Sequence, residues 1–229
     1  MQDKVSRMQD KVSRMQDKVS RMQNGVNGMQ DIVLYSYRRC PFAMRVRMAL
    51  EEKNLTYFVI EENLQSFSTE LLRLHPEGKV PVLLHDEQVI YESSVITEYL
   101  DEVFPSPMLM PKAPKDRAQV RLWTYWCNEI FKPDLDEFKY EWKSLSEEKR
   151  LALKERLKGH LGKLESALGE KKFIMSDELT LADIHLFPFY RQLQKIQSSD
   201  LETARFTRLN AWLEQILARP SFERAMKKK

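Results

Sequence analysis

Residues 37–47 read YRRCPFAMRVR, placing one cysteine between an arginine pair and a proline, with two more arginines following at helical spacing. Pro41 fits the first position of a helix, where its missing amide hydrogen costs nothing, so Cys40 falls at the N-cap. Its sulfur would face unpaired backbone amides and the positive end of the helix dipole. Arg38, Arg39, Arg45 and Arg47 add cationic charge, although helical rotation keeps all four from pointing at it together. These features favour thiolate over thiol and predict a nucleophile near neutral pH; the competing reading is a buried, inert cysteine. Position 43, where a CxxC motif would carry its second cysteine, is alanine, so an outside thiol must complete any disulfide exchange. A small-thiol cosubstrate follows.

The elements around Cys40 emerge from patterning. DIVLYSY (31–37) is apolar and β-prone and predicts a strand, and CPFAMRVRMALEEKN a helix. TYFVIEE (56–62) predicts a second strand, and Phe67 to Leu74 a short helix stopped by HPEG. VPVLLHDEQVIYES reads as two strands joined at His85-Asp86. SVITEYLDEVF reads as a helix with Val95, Ile96, Tyr99, Leu100 and Val103 on one face. The order βαβαββα predicts an α/β layer domain over 29–104. FPSPMLMPKAP is proline-rich and aperiodic, so 105–113 is expected to be a linker. Residues 114–229 read as an all-α bundle: 114–142 with a kink at Pro133, 146–169 with a stripe of Leu151, Leu157, Leu161, Leu164 and Leu168, then 180–196, 200–218 and a terminal helix. Thr180-Leu-Ala-Asp183 predicts a capping box, with Leu179 and Ile184 as its hydrophobic staple.

Residues 1–28 repeat MQDKVSR three times before a decayed copy, with Met and Val at coiled-coil spacing. Three weak heptads followed by Asn24-Gly25 and Asn27-Gly28 predict a disordered or frayed helix. This stretch holds six Lys/Arg and three Asp and so carries the whole formal charge of +3, leaving a neutral body that argues against a nucleic-acid-binding field. The chain is 42% apolar and 31% charged over 229 residues, enough for a sizeable core. No stretch approaches the roughly 18–20 apolar residues of a membrane span, and no secretory core opens the chain, so a cytoplasmic protein is expected. Cys40 and Cys127 match no metal-ligand spacing, so neither a metal site nor a disulfide framework is expected. Cys127 reads as a packed small hydrophobe.

Taken in order, SYRRCPFAMRVRMAL, HPEGKVPVL, Glu92-Ser93 opening a helix and TLADIHLFPF resemble a cytosolic glutathione transferase over nearly all of 30–229. The resemblance implies a thioredoxin-like N-terminal domain, a cis Val80-Pro81 peptide whose Val80 backbone pairs with the cysteinyl part of glutathione, and Glu92 and Ser93 as γ-glutamyl anchors. RCPFA looks like the omega-type class, in which a cysteine at the place of Cys40 forms a mixed disulfide with glutathione during thiol transfer. Phe42, Leu64 and Lys79 are further expected contacts. Phe67 stands where an omega-type lysine contact would fall, a departure at the glycyl end. Tyr35, Ser36 and Tyr37 are fallback positions used in other classes. LWTYWCNEIF implies an acceptor pocket lined by Trp123, Tyr125 and Trp126, although aromatic residues at helical spacing also read as core. A homodimer is implied, with glutathione and a small electrophile or disulfide as ligands. EYLDEVFPSPMLMP and FIMSDELTLAD also resemble the stringent starvation protein A branch, whose members bind RNA polymerase. Ser106 departs from that branch's Pro-His-Pro motif, and the branch lacks the RCPF cysteine.

Overall fold

The computed structural model describes residues 32–86, 88–196 and 201–228; the heptad repeat lies outside the described residues. The run after Asp31 forms β1 (Ile32–Ser36) and the next forms α1 (Pro41–Glu52). β2 (Phe58–Glu61), α2 (Thr69–Leu74), β3 (Val82–His85), β4 (Gln88–Tyr91) and α3 (Ser93–Val103) follow, which is the βαβαββα order read from the sequence. The sheet runs β2-β1-β3-β4, with β1 parallel to β2 and antiparallel to β3, and β3 antiparallel to β4. This is a thioredoxin-like layer. Side chains alternate across it. Ile32, Leu34 and Leu83 join the main core with Val46, Leu50, Ile96 and Leu100, while Val33, Tyr35 and Val82 pack with Leu71 of α2 on the other face. Covering both faces buries β1 along its whole length.

The remainder is helical: α4 (Pro114–Trp126), α5 (Lys132–Asp136), α6 (Glu147–Leu168), α7 (Leu181–Lys195), α8 (Thr207–Leu217) and α9 (Pro220–Met226). The discontinuity expected at Pro133 takes the form of π-helical turns, Cys127–Phe131 and Glu137–Glu141, on either side of α5. The capping box forms as the sequence implies. Thr180 Oγ1 accepts from the Ala182 amide, the Thr180 amide donates to Asp183, and the staple residues Leu179 and Ile184 are buried. Asp183 also accepts from the Ile174 amide and Trp212 Nε1, at 2.8 and 2.9 Å.

Two expected apolar stripes are corrected. On α3, Val95 and Val103 are exposed, and the buried positions are Ser93, Ile96, Thr97, Leu100 and Asp101. Thr97 and Asp101 are inside because they bond other elements: Thr97 Oγ1 meets His185 Nε2 at 2.8 Å, and Asp101 meets Lys53 Nζ at 2.7 Å. On α6, Leu151 is exposed and Leu153 takes its place beneath Leu157, Leu161, Leu164 and Leu168. Residues 105–113, aperiodic in sequence, are tied down at several points. Asp101 accepts from the Leu109 and Met110 amides at 2.8 and 3.1 Å, and Lys53 Nζ donates to the Phe104 and Pro107 carbonyls at 2.6 and 2.8 Å. Among the described residues, no helix is long and apolar enough to cross a membrane.

Candidate functional site

Cys40 closes the turn between β1 and α1. Its amide donates to the Tyr37 carbonyl at 2.9 Å, and its own carbonyl accepts from the Met44 amide at 2.9 Å as the first bond of the helix. The backbone is extended there, at φ −72° and ψ 123°, so Cys40 is the N-cap that Pro41 predicts. Its Sγ lies 3.9 Å from the Val80 carbonyl, immediately before the cis Val80-Pro81 peptide. The start of α1 and the loop entering β3 thus meet at the sulfur. The Val80 amide has no hydrogen-bond partner among the described residues, leaving a backbone edge able to pair with a peptide-like ligand.

At the N-cap of α3, Glu92 is exposed with φ 66°, and Ser93 behind it is 3% exposed. The Ser93 hydroxyl accepts from Arg45 Nη1 at 3.2 Å. Arg45 is wholly buried and joins both halves of the molecule: it also donates to the His185 carbonyl (3.0 Å), Asn128 Oδ1 (2.8 Å) and Cys127 Sγ (3.4 Å), and lies against both the Phe42 and Phe189 rings. Phe42 packs edge-on to Phe189 at 5.2 Å, with Lys132 Nζ 5.8 Å from its ring centre. Cys40, Phe42, Val80 and Pro81 therefore share one locus, and Ser93 joins it through Arg45. Lys79 is exposed and paired with Glu77. Leu64 is exposed in the loop after β2, and Phe67 packs against Val33, Tyr35, Leu71 and Val82 on the sheet.

The expectation of a low-pKa thiolate is corrected. Burial pushes the Cys40 thiol up and outweighs the Ala43 and Phe42 amides and the Arg45 and Lys132 charges, which pull it down. The four neighbouring arginines do not act as one field. Arg38 donates to the Met226 carbonyl at 3.2 Å, Arg47 is committed to Ser36, Ala225 and Glu61, and Arg39 is exposed, whereas the Arg45 charge acts on the sulfur. Lys132 was not singled out by sequence reasoning. Its influence depends on a fold contact spanning some ninety residues, which no local spacing announces.

Two fallback positions are also corrected. Tyr35 is 5% exposed, and burial, then Glu70 and Glu62, push its hydroxyl up to about 12. Ser36 is fully buried and its hydroxyl accepts from Arg47 Nε at 2.8 Å. Neither lies open to a ligand. Cys127 is fully buried and pushed up to about 11 by burial.

The aromatic trio does not form one wall. Trp126 is buried and stacked on Phe131, Trp123 meets its edge at 5.5 Å, and Tyr125 is 61% exposed. Residues three apart share a helix face, whereas Tyr125, two positions after Trp123, points about 200° round the helix from it, which separates it from the tryptophans.

Residues 34–108 match the glutathione S-transferase N-terminal domain, and residues 125–220 match the glutathione S-transferase C-terminal domain. A probable glutathione S-transferase of Nicotiana tabacum, parC, is 31% identical over 204 residues, covering 86% of this chain and 89% of the relative. The tau-class glutathione S-transferase of mango, Mangifera indica, superposes with a TM-score of 0.78 at 28% identity, covering 86% of this chain and 93% of that one. Glutathione transferase Omega 3C of Trametes versicolor gives 0.76 at 25% identity, covering 93% and 95%. The polymerase-binding alternative gains no support from these similarities.

Proposed function

The chain belongs to the glutathione S-transferase family, and on that premise we propose that it is an omega-like thiol transferase whose Cys40 forms a mixed disulfide with glutathione. The observation that carries this is the placement of Cys40 Sγ at the start of α1, 3.9 Å from the Val80 carbonyl, while Tyr35 and Ser36 are buried. In the forward step the Cys40 thiolate attacks one sulfur of a glutathione-containing disulfide. A protein-glutathione disulfide forms, the old S–S bond breaks, and the departing thiolate takes up a proton. A second glutathione thiolate then attacks the glutathione sulfur of that disulfide, breaking the bond to Cys40 and releasing glutathione disulfide and the Cys40 thiolate, because position 43 supplies no resolving thiol. The Val80 amide and carbonyl would pair with the cysteinyl portion of glutathione. The amides opening α3, with Glu92 beside them, would take the γ-glutamyl carboxylate and ammonium. Phe42, Leu64 and Lys79 would border the tripeptide, and Trp123 the acceptor side. A cytoplasmic homodimer is part of the same proposal, and light scattering on the purified protein tests its oligomeric state.

The upward shift of the thiol favours a second reading, in which Cys40 stays protonated and donates S–H to the glutathione sulfur during conjugation to an electrophile. Intact-protein mass spectrometry after exposure to glutathione disulfide separates the two. A dithiothreitol-reversible glutathione adduct lost in Cys40→Ser and kept in Cys127→Ser supports thiol transfer. Absence of an adduct in a protein that still turns over a chlorinated aromatic electrophile supports conjugation.

A further inference from the structure

Beside the start of α1, on the side of α7 and α9, lies a cavity of about 380 Å³ lined by Arg38, Arg39, Pro41, Met44, Pro188, Arg191, Gln192, Lys195 and Met226. Its size is that of a small-ligand site. Cys40 is not in the lining. Among the described residues that line it, four are cations and none is acidic.

Several arginines elsewhere in the molecule are ion-paired: Arg47, Arg121, Arg156, Arg219 and Arg224 each meet a carboxylate. Arg39, Arg191 and Lys195 meet none among the described residues. Arg191 lies over the Phe222 ring at 5.3 Å, which fixes its guanidinium without neutralising it. Arg38 donates through Nη1 to the Met226 carbonyl at 3.2 Å and through its backbone amide to Glu61 at 2.6 Å, so among the described residues it is the one lining cation with a carboxylate close by. The charges repel one another: Arg191, then burial, then Arg39 hold the Lys195 ammonium below its usual range. Like charges around a concave site concentrate the field there and attract an anion that relieves the repulsion. The net charge outside residues 1–28 is zero, so this concentration is local.

We propose that this cavity binds a small molecule carrying two or more carboxylate or phosphate groups, at a site distinct from the one bordered by Cys40 and Val80. The guanidinium groups of Arg39 and Arg191 supply forked donors suited to either oxyanion, and Lys195 a point charge. Gln192 adds a neutral donor and acceptor.

The test is calorimetric titration of the full chain with tricarballylate and with inorganic pyrophosphate, each in the presence and absence of S-methylglutathione. One equivalent of at least one probe is expected to bind whether or not S-methylglutathione is present. Affinity should fall about tenfold or more in Arg191→Gln and in Lys195→Gln, and less in the exposed Arg39→Gln, which leaves the packing untouched. Binding of pyrophosphate alone assigns the site to phosphates, and of tricarballylate alone to carboxylates. The proposal is overturned if neither probe binds, if the Arg39→Gln/Lys195→Gln double variant, folded by circular dichroism, binds as tightly as the parent, or if S-methylglutathione displaces the probe. None of these readouts depends on a Cys40 adduct, so this proposal and the thiol-transfer reading stand or fall separately.

Discussion

Replacing Asp183 with alanine removes an acceptor on which four donors converge: the amides of Ile174 and Thr180, the Thr180 hydroxyl and Trp212 Nε1, all at 2.8–3.0 Å around a fully buried carboxylate. The hydroxyl can turn elsewhere, but the two amides and the indole N–H have no substitute. A buried donor left unsatisfied costs about 1–3 kcal/mol, so the raw loss lies at about 3–9 kcal/mol. Two effects reduce it: water enters the space vacated, and the cost of burying the carboxylate, which pushes its pKa up, disappears. A net loss of about 3–5 kcal/mol is expected. That exceeds the roughly 0.5–2 kcal/mol of a helix cap acting alone, and the difference is what the experiment decides. Urea unfolding followed by circular dichroism and Trp fluorescence gives the number. Asp183→Asn, which keeps the volume and one acceptor oxygen, should lose less. A loss below about 2 kcal/mol for Asp183→Ala would refute the idea that Asp183 ties α7, α8 and the Ile174 segment together, leaving it an ordinary cap.

Because burial raises the Cys40 thiol, its glutathionylation rate should climb about tenfold per pH unit from pH 6 to 8, and Lys132→Met, which removes a charge favouring the thiolate, should slow it further at pH 7; stopped samples read by mass spectrometry check both. Iodoacetamide on the folded protein should label Cys40 and spare Cys127 until urea is added, because Cys127 is fully buried and held near 11. His185 is fully buried, its two ring nitrogens bonded to Thr97 and Thr124 at 2.8 and 2.7 Å, and burial, then Arg45, hold it well below its usual pKa. Above about pH 6.5 the imidazole is neutral whether folded or not; as pH falls further the unfolded chain takes up the proton first, so stability drops by up to about 1.4 kcal/mol per unit. His185→Gln should flatten that slope in urea midpoints measured from pH 7.5 to 5.

The strands, the helix order and the Thr180 box were legible because each is decided by neighbours within a few residues. Cys40 at the N-cap was legible for the same reason: Pro41 and the preceding turn specify it locally. Its proton affinity was not, because that depends on burial and on Lys132, which chain distance conceals. Arg45 and Arg47 looked like a cationic surface beside a thiol and proved to be interior groups, satisfied by carbonyls and side chains up to 178 residues away. On α3, hydropathy put Val95 inside and Thr97 outside, whereas the hydrogen bond between Thr97 and His185 reversed the order. A polar residue with a buried partner looks like a surface residue until the partner is known. The Trp123, Tyr125, Trp126 cluster likewise reads as a single aromatic lining in one dimension and divides between core and solvent in three.

The ties on residues 104–110 carry one more consequence. Lys53 at the end of α1 holds the Phe104 and Pro107 carbonyls and pairs with Asp101, which in turn holds the Leu109 and Met110 amides, while the Leu109 carbonyl takes the Leu181 amide at 2.9 Å. What looks like slack rope between two bodies is knotted into both. Cutting the backbone near Met108 would leave the fragments associated, since the knots lie on either side of the cut. A fragment ending at Phe104 would strand a buried ammonium and carboxylate without the amides and the Pro107 carbonyl that complete their shell. Neither half is then a self-sufficient part to be transplanted, and substitutions made at one end of this protein should be felt, through that strap, at the other.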